Sequence, residues 1–316
     1  MLTVIAGGTG SIKLVRGLAK LVPSLNVICN VADNFWLKGL YICPDIDTMI
    51  YGLSDRLDLK RGWGIKNETF SFFNHLKVLG QGIWFRLGDK DLVTHVLRTN
   101  MINNGSSLSS ITNWMCKIYG IQPKIIPVTD DHVETLIRTD KGEMHIQEFW
   151  VKNHGSLPVK GIRFSGLKEA KVNVSAVRAI KNSQMIVIAP GNPISSIWPI
   201  ISHKLIETNL IGHGGKVMAI SPIIRSSPVS GPASKYLKAF GIDCSIFGIA
   251  SLYRKFNPDL VISSEEELET IKKVKKIGIN VLKTNILMRN QYEEHNLARF
   301  VLKSLPKKQI RGKNKL

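Results

Sequence analysis

The chain is short of acids and of cysteines and has no long apolar run, and each shortage removes a class of protein. Of 316 residues, 24 are Asp or Glu against 43 Lys or Arg, a formal net charge of +19. Such an excess suits partners that carry negative charge: nucleic acid, an anionic surface or phosphorylated small molecules. The four cysteines, Cys29, Cys43, Cys116 and Cys244, form no CxxC pair and stand near no histidine at zinc-ligand spacing. They are expected to be reduced, mostly buried thiols. No stretch reaches the roughly 18–20 apolar residues of a membrane span. The opening "MLTVIAGGTG" runs straight into strand-like sequence, without the basic n-region or long apolar h-region of a signal peptide, so a cytoplasmic protein is expected. Zinc-finger, RNP-type and KH-type signatures are missing too. The main argument for nucleic acid is therefore "KSLPKKQIRGKNKL", residues 303–316, with six basic residues and no acid. It reads as a solvated, disordered tail.

What is present is a globular composition, 44% hydrophobic, long enough for one large domain with a smaller subdomain. "LTVIAGG" is a short apolar strand ending in glycines. "SIKLVRGLAKLV" then places Ile12, Leu14, Val15, Leu18, Leu21 and Val22 at helical spacing, and Pro23 stops it. "LNVICNVAD" is a second buried strand, which completes a βαβ unit. Three helices follow in series, within "NETFSFFNHLKVL", "DKDLVTHVLRTNMI" and "SSLSSITNWMCKIYG". Strand-like alternation then turns at "TDKG". From "QMIVIAP" onward the βα rhythm returns, through "GGKVMAISPII" and "DLVISS" to a last helix at "NLARFVLKSL". The fold class is α/β, a doubly wound, mostly parallel sheet with an inserted helical and hairpin subdomain. The expected division is a core of residues 1–60 and 165–303, an insertion at 61–164 and the basic tail at 304–316.

Four stretches carry site chemistry. In "AGGTGS" glycines at a strand-to-helix turn let backbone N–H groups approach an anion, and the helix dipole adds to them. The GxGxxG fingerprint is incomplete, because Lys13 stands at the third position, and the GK[ST] of a Walker loop is missing. That weakens a nicotinamide oxidoreductase reading and leaves a phosphate loop, or a plain tight turn; Lys13, within the first helical turn, could add charge to a phosphate. In "NVADNFW" and "CPDIDT", Asp33 lies beyond a strand end, where such folds bind ligands. Asp45 and Asp47 share one face if that stretch is extended. Neighbouring carboxylates repel unless a cation lies between them, and oxygen ligands without histidine suggest a hard ion, magnesium above all. The plainer reading is a helix N-terminus with Asp47 or Thr48 as cap, which accounts for one acid and hardly for three. In "WFRLGDKDLVTHVLRT" Arg86 could face a phosphate or carbonyl. There Gly88-Asp89 caps the next helix, and His95 is assigned to packing. In "APGNPISSI" Asn192, Ser195 and Ser196 could bond a base, ribose or phosphate, or simply shape the turn.

Together these stretches resemble the 2-phospho-L-lactate transferases of coenzyme F-420 biosynthesis. The resemblance runs in order through "GGTGSIKLVRGL", "NVADNFWLKGLYICPDIDTMIYGLSD", "RGWGIKNETF", "RLGDKDLVTHVLRT", "IIPVTDDHVETLI", "HIQEFWV", "IAPGNPISSI" and "AISPIIRSSPVSGPA". It implies a Rossmann-like nucleotide-binding core, often dimeric. The implied reaction moves a phospho-lactyl or phospho-enolpyruvyl group from a guanosine-diphosphate-linked donor to the primary alcohol of the deazaflavin Fo, with release of GMP and use of Mg2+. By this resemblance Gly7, Gly8, Thr9, Gly10, Lys13, Asn192 and Ser195 lie near the donor. Asp33, Asp45 and Asp47 lie at the magnesium and the Fo hydroxyl, where they are the catalytic and metal residues. Asp47 and Arg86 lie on the acceptor side, and Asp89 is a further substrate-binding residue. Four positions depart from the family pattern: Asn34 where a second acid is usual, Lys90 where an arginine is, Gly191 where a serine is, and Trp198 where a glycine is. A related regulatory family that binds nucleotide-sugars without turnover shares a similar glycine loop, and is the alternative reading.

Overall fold

A computed structural model describes residues 1–229 and 231–305; most of the expected basic tail lies outside the described residues. In chain order the first half comprises β1 (Leu2–Ala6), α1 (Gly8–Ala19), β2 (Leu25–Cys29), the hairpin β3 (Phe35–Leu37) and β4 (Leu40–Ile42), and α2 (Pro44–Leu53). It continues with α3 (Ser71–Val78), α4 (Asp89–Asn103), α5 (Leu108–Ile118), β5 (Lys124–Pro127), β6 (Glu134–Thr139), β7 (Gly142–His145) and β8 (Gly161–Ser165). Next come α6 (Val174–Lys181), β9 (Met185–Ile188), α7 (Trp198–Ile201), α8 (Lys204–Ile211), β10 (Lys216–Ile220) and the small ribbon β11 (Ile223–Ile224) and β12 (Ser227–Pro228). The chain ends on α9 (Ala233–Ala239), α10 (Ile246–Tyr253), β13 (Asp259–Ser263), α11 (Leu268–Lys276), β14 (Asn280–Thr284) and α12 (Gln291–Lys303).

Seven strands form one sheet in the order β14-β13-β10-β9-β1-β2-β5, and every pairing in it is parallel. This is the doubly wound α/β fold the sequence rhythm predicts. The inner strands read as unbroken apolar runs, "LTVIA", "LNVIC" and "MIVI", and every residue in them is buried. Parallel strands flanked by helices on both faces require that pattern. The helix α1 packs against α2 and α12. A Cβ on Gly52 would fall 2.2 Å from the Ile12 side chain, so α1 and α2 close on each other only because glycine stands there. Arg16 of α1 makes a buried two-pronged ion pair with Glu294 of α12, its Nε donating to Oε2 at 3.1 Å.

The stretch 61–164 divides its allegiance. β5 lies in the central sheet beside β2, whereas β7-β6-β8 form a separate antiparallel sheet, with "TDKG" as the turn between β6 and β7. Phe35, Leu37, Ile42, Phe73, Ile83 and Leu87 make a second small core, which joins the β3-β4 hairpin to α3 and the segment leading into α4. The sheet therefore runs on through residues that local pattern assigns to the insertion.

Candidate functional site

The sheet reverses direction between β1 and β9: the chain leaves β1 toward β2 and β9 toward β10. Ligands of such folds sit in the crevice beyond the strand ends at that point. Two turns line it. Gly8, at φ 71°, occupies left-handed backbone that glycine adopts without strain and opens α1. Ser11 holds the turn: its hydroxyl donates to the Gly7 carbonyl at 2.8 Å and accepts from the Gly7 N–H at 3.2 Å. After β9, the Asn192 Oδ1 accepts from the N–H groups of Ile194 and Ser195, both at 3.1 Å, and starts the helical turn Pro193–Ile197. A Cβ on Gly10 would fall 2.5 Å from the Pro190 carbonyl oxygen, and one on Gly191 2.7 Å from that of Gly7. The two turns thus touch backbone to backbone.

That contact makes a test. Gly10→Ala drives a methyl into a carbonyl that cannot move without shifting β9. It is expected to cost about 1–3 kcal/mol of stability, as overpacking does. Urea unfolding of the parent and the variant measures it.

The acids divide, which corrects the expectation of an extended "CPDIDT" with Asp45 and Asp47 on one face. Pro44 is the first residue of α2, and both acids lie in its first turn. At 3.6 residues per turn, positions two apart point about 200° apart. Asp45 turns to the crevice. Its Oδ2 accepts from Asn30 Nδ2 at 2.9 Å and would lie 2.7 Å from a Cβ on Gly7, and the Gly8 N–H also reaches it. Burial pushes its carboxyl up to about 6. Asp33 is buried as well and accepts from the Thr135 hydroxyl at 3.3 Å. Burial first, then the charge of Asp45, push it well above the usual range. No lysine or arginine among the described residues makes an ion pair with either.

Asp47 turns the other way. Arg98, 1% exposed, grips it with both terminal nitrogens, Nη1 donating to Oδ2 at 3.0 Å. His95 Nδ1 stands 3.8 Å from Asp47 and its Nε2 3.4 Å from Asp91, and Tyr51 donates to Asp91 at 2.6 Å. Asp47, Asp91 and His95 are close enough together to form a cation group, but a guanidinium already neutralises Asp47. His95 belongs to this buried network, which is more than packing.

Other expected positions scatter. Lys13 lies in the second turn of α1, not the first, and is exposed, with its charge acting on Glu293 of α12. Thr9 is exposed at the crevice turn, and Ser195 is buried with its carbonyl 3.4 Å from Asn30 Nδ2. Asp89 does not cap its own helix. Gly88 is the cap, while the Asp89 carboxylate accepts from the N–H groups of Ser71 and Phe72 at 2.9 and 3.0 Å and so caps α3. Arg86 is exposed, its guanidinium 3.8 Å from the centre of the Phe70 ring.

Sequence reasoning passed over Asn30, Thr135, His145 and Tyr236. Asn30 is fully buried and bridges Asp45, the Ser195 carbonyl and the Ala32 N–H, so it ties three loops into one crevice. Its place directly after β2 was a usable signal. The Tyr236 hydroxyl is buried with no partner among the described residues, and burial first, then the charge of Asp33, raise it. Nearby a cavity of about 540 Å³ opens, with Phe35, Trp36 and Trp84 on its apolar wall and Glu134, His145 and Glu148 among its polar groups. Phe35 stacks on Trp84 with ring centres 5.6 Å apart. The thiols offer no nucleophile here. Burial pushes Cys43 up to about 12 and Cys29 well above the usual thiol range.

The crevice can thus bind an anion at the α1 N-terminus and concentrate negative charge from two carboxylates beside it, with room for a flat ring nearby. The family model for 2-phospho-L-lactate transferase CofD matches residues 2–293. A 2-phospho-L-lactate transferase of Methanococcoides burtonii is 38% identical over 301 residues, covering 95% of this chain and 97% of that protein. One from Methanopyrus kandleri is 36% identical, with 96% of each covered. A phosphoenolpyruvate transferase of Streptomyces coelicolor is 33% identical, with 95% and 97% covered. Among solved structures, protein BH3568 of Bacillus halodurans superposes with a TM-score of 0.64 at 16% identity, covering 95% of this chain and 98% of that one. It shares the fold. No helix among the described residues is long and apolar enough to cross a membrane.

Proposed function

The chain belongs to the 2-phospho-L-lactate transferase CofD family, transferases of coenzyme F-420 biosynthesis, and from that premise we propose the full reaction. A phospho-lactyl or phospho-enolpyruvyl group passes from a guanosine-diphosphate-linked donor to the primary alcohol of the deazaflavin Fo. The alcohol oxygen bonds to the phosphorus next to the three-carbon acid, the bond to the GMP phosphate breaks, and GMP leaves. The observation that carries this reading is the pair Asp33 and Asp45, two buried carboxylates with no countercharge among the described residues, beside a glycine turn suited to phosphate.

Such a pair fits a hard divalent cation, since its donors are carboxylate oxygens and a cation between them would relieve the repulsion that raises Asp33. Magnesium held by Asp33 and Asp45 would neutralise charge on the transferring phosphoryl group. Asp47, also expected at the metal, is engaged by Arg98 and takes a supporting place in this scheme. The rest is positioning. The N–H groups at the start of α1 hold the diphosphate. Asn30 fixes the Asp45 carboxylate. One of these carboxylates orients the alcohol and takes its proton. The flat ring of Fo lies in the cavity walled by Phe35, Trp36 and Trp84, and the protein works as a homodimer.

Incubation with Fo, the guanosine-diphosphate-linked donor and Mg2+ is expected to release GMP in step with phosphorylated deazaflavin, followed by chromatography. Thermal-shift titrations should show stabilisation by Fo and by GDP with Mg2+. GDP binding without turnover or Fo binding would instead return the chain to the nucleotide-binding regulator reading.

A further inference from the structure

The two turns of the crevice leave a side-chain hydroxyl open beside Asp45. Ser196 belongs to the helical turn Pro193–Ile197 and is 5% exposed. Its Cβ lies 2.8 Å from where a Cβ on Gly7 would stand, so this turn is pressed against the start of α1. Its backbone is engaged, the N–H donating to the Asn192 carbonyl at 3.1 Å. Its Oγ makes no hydrogen bond among the described residues, and it is not one of the unpartnered polar atoms sealed from solvent. The little surface that Ser196 keeps therefore includes that oxygen.

Gly8 shows where the oxygen faces. The point at which a side chain on Gly8 would begin lies 3.6 Å from Ser196 Oγ and 3.7 Å from Asp45 Oδ1, and no other group outside the start of α1 comes within 4 Å of it. Asn30 already donates to Asp45 Oδ2, which leaves Oδ1 as the carboxylate oxygen turned to this space. A buried hydroxyl and a buried carboxylate thus converge on one point without bonding each other. What fits there must suit both oxygens. A phosphate oxygen would meet Asp45 as a like charge. An alcohol would suit both, donating to Asp45 and accepting from Ser196, but it leaves the repulsion between Asp33 and Asp45 in place. A hard cation suits both and relieves that repulsion, because a serine oxygen has lone pairs to offer and such ions take oxygen ligands.

We propose that Ser196 is a metal-ligating residue, its Oγ adding a neutral oxygen to the cation held by Asp33 and Asp45. This rests on those two carboxylates being the cation site. The ion then has ligands from both walls of the crevice, α2 on one side and the turn after β9 on the other.

The test compares wild type, Ser196→Ala and Ser196→Cys, each as the full chain. Alanine keeps the Cβ that packs against Gly7 and removes only the oxygen. Cysteine replaces a hard ligand with a soft one. Kd for Mn2+ is read from the electron paramagnetic resonance of the free ion, and Kd for Cd2+ by competition with Mn2+. Calorimetry reads GDP binding in chelator. Expected for Ser196→Ala is a rise of roughly tenfold in Kd for Mn2+, with GDP binding in chelator within about twofold of wild type. Ser196→Cys should shift preference toward Cd2+ over Mn2+ by roughly tenfold or more, with an ultraviolet Cd–thiolate band that Ser196→Ala lacks. Should Ser196→Cys fail to fold, the alanine variant decides alone. An unchanged Kd for Mn2+ in Ser196→Ala overturns the inference, and a rise in KM for Fo in its place would give the space to the alcohol. Weaker GDP binding in chelator overturns it too, by making Ser196 a phosphate donor. If wild type binds no Mn2+, with or without GDP, the carboxylate pair is not a cation site and Ser196 falls with that reading. Mn2+ binding by wild type that Ser196→Ala leaves intact sinks the Ser196 role alone.

Discussion

Asp45→Asn is expected to cut transfer by about 10³-fold, the scale of a lost group at a charge-stabilising centre, and yet to make the metal-free protein more stable at neutral pH. The two outcomes share one cause. Asp45 is buried, with its carboxyl raised to about 6, and its charge also raises Asp33. A carboxyl whose folded pKa lies above its unfolded value favours folding below the unfolded value. That contribution is lost as pH climbs through the folded one. For Asp45 the window runs from about 4 to about 6, which corresponds to roughly 3 kcal/mol. Parent and variant should therefore be equally stable at pH 4 and diverge as pH rises to 7, with the asparagine variant ahead. Asn30 can still donate to the amide oxygen, so the substitution removes charge and keeps shape. Urea unfolding in chelator at pH 4 and pH 7 reads the difference. A variant less stable than the parent at pH 7, or one that keeps its activity, would refute the assignment of Asp45 to an unneutralised site.

Arg98→Leu should have the opposite effect on stability, a loss of about 3–5 kcal/mol. Arg98 is 1% exposed and grips Asp47 with two nitrogens. Leucine fills much of its space but leaves the Asp47 charge buried and unpaired, with Asp91 as a like charge across His95. The double variant Asp47→Asn/Arg98→Leu removes that charge and should recover most of the loss. Urea midpoints of the two single variants and the double variant decide it. If the double variant is no better than Arg98→Leu, the pair is not what holds α2 against α4. Because α2 also carries Asp45, Arg98→Leu should lower turnover in protein that remains folded.

The alternation of strands and helices was legible because parallel strands covered on both faces leave an unbroken apolar run, as "LTVIA" and "MIVI" do. β5 was harder to place. "KIIP" is four residues long and sits at the sheet edge after three helices, so only its pairing with β2 tells it from the hairpin that follows. The glycine turn and Asn192 were legible from residue type and place. Asp45 and Asp47 were legible as important but not as divided, because a period of two suits a strand and Pro44 makes a helix. Thr135 and Tyr236 were not legible, since their roles depend on partners, or on missing partners, that the fold brings from far along the chain, whereas Asn30 was marked only by its place directly after β2. Asp89 shows the same limit, for the helix it caps begins eighteen residues earlier.

The contact between β1 and β9 has a consequence during synthesis. Leu2 pairs with Met185 and Ile5 with Ile188, so the crevice joins the start of the chain to residues more than half its length away. β1 can pair early with β2, but the second wall of the anion site does not exist until the segment through Ser195 has left the ribosome. At ~5–20 residues per second, that leaves a glycine turn and two acids waiting on the order of 10–40 s in a half-built sheet. Pairings this distant are slow to close. No amino-terminal fragment ending before β9 contains both turns of the crevice.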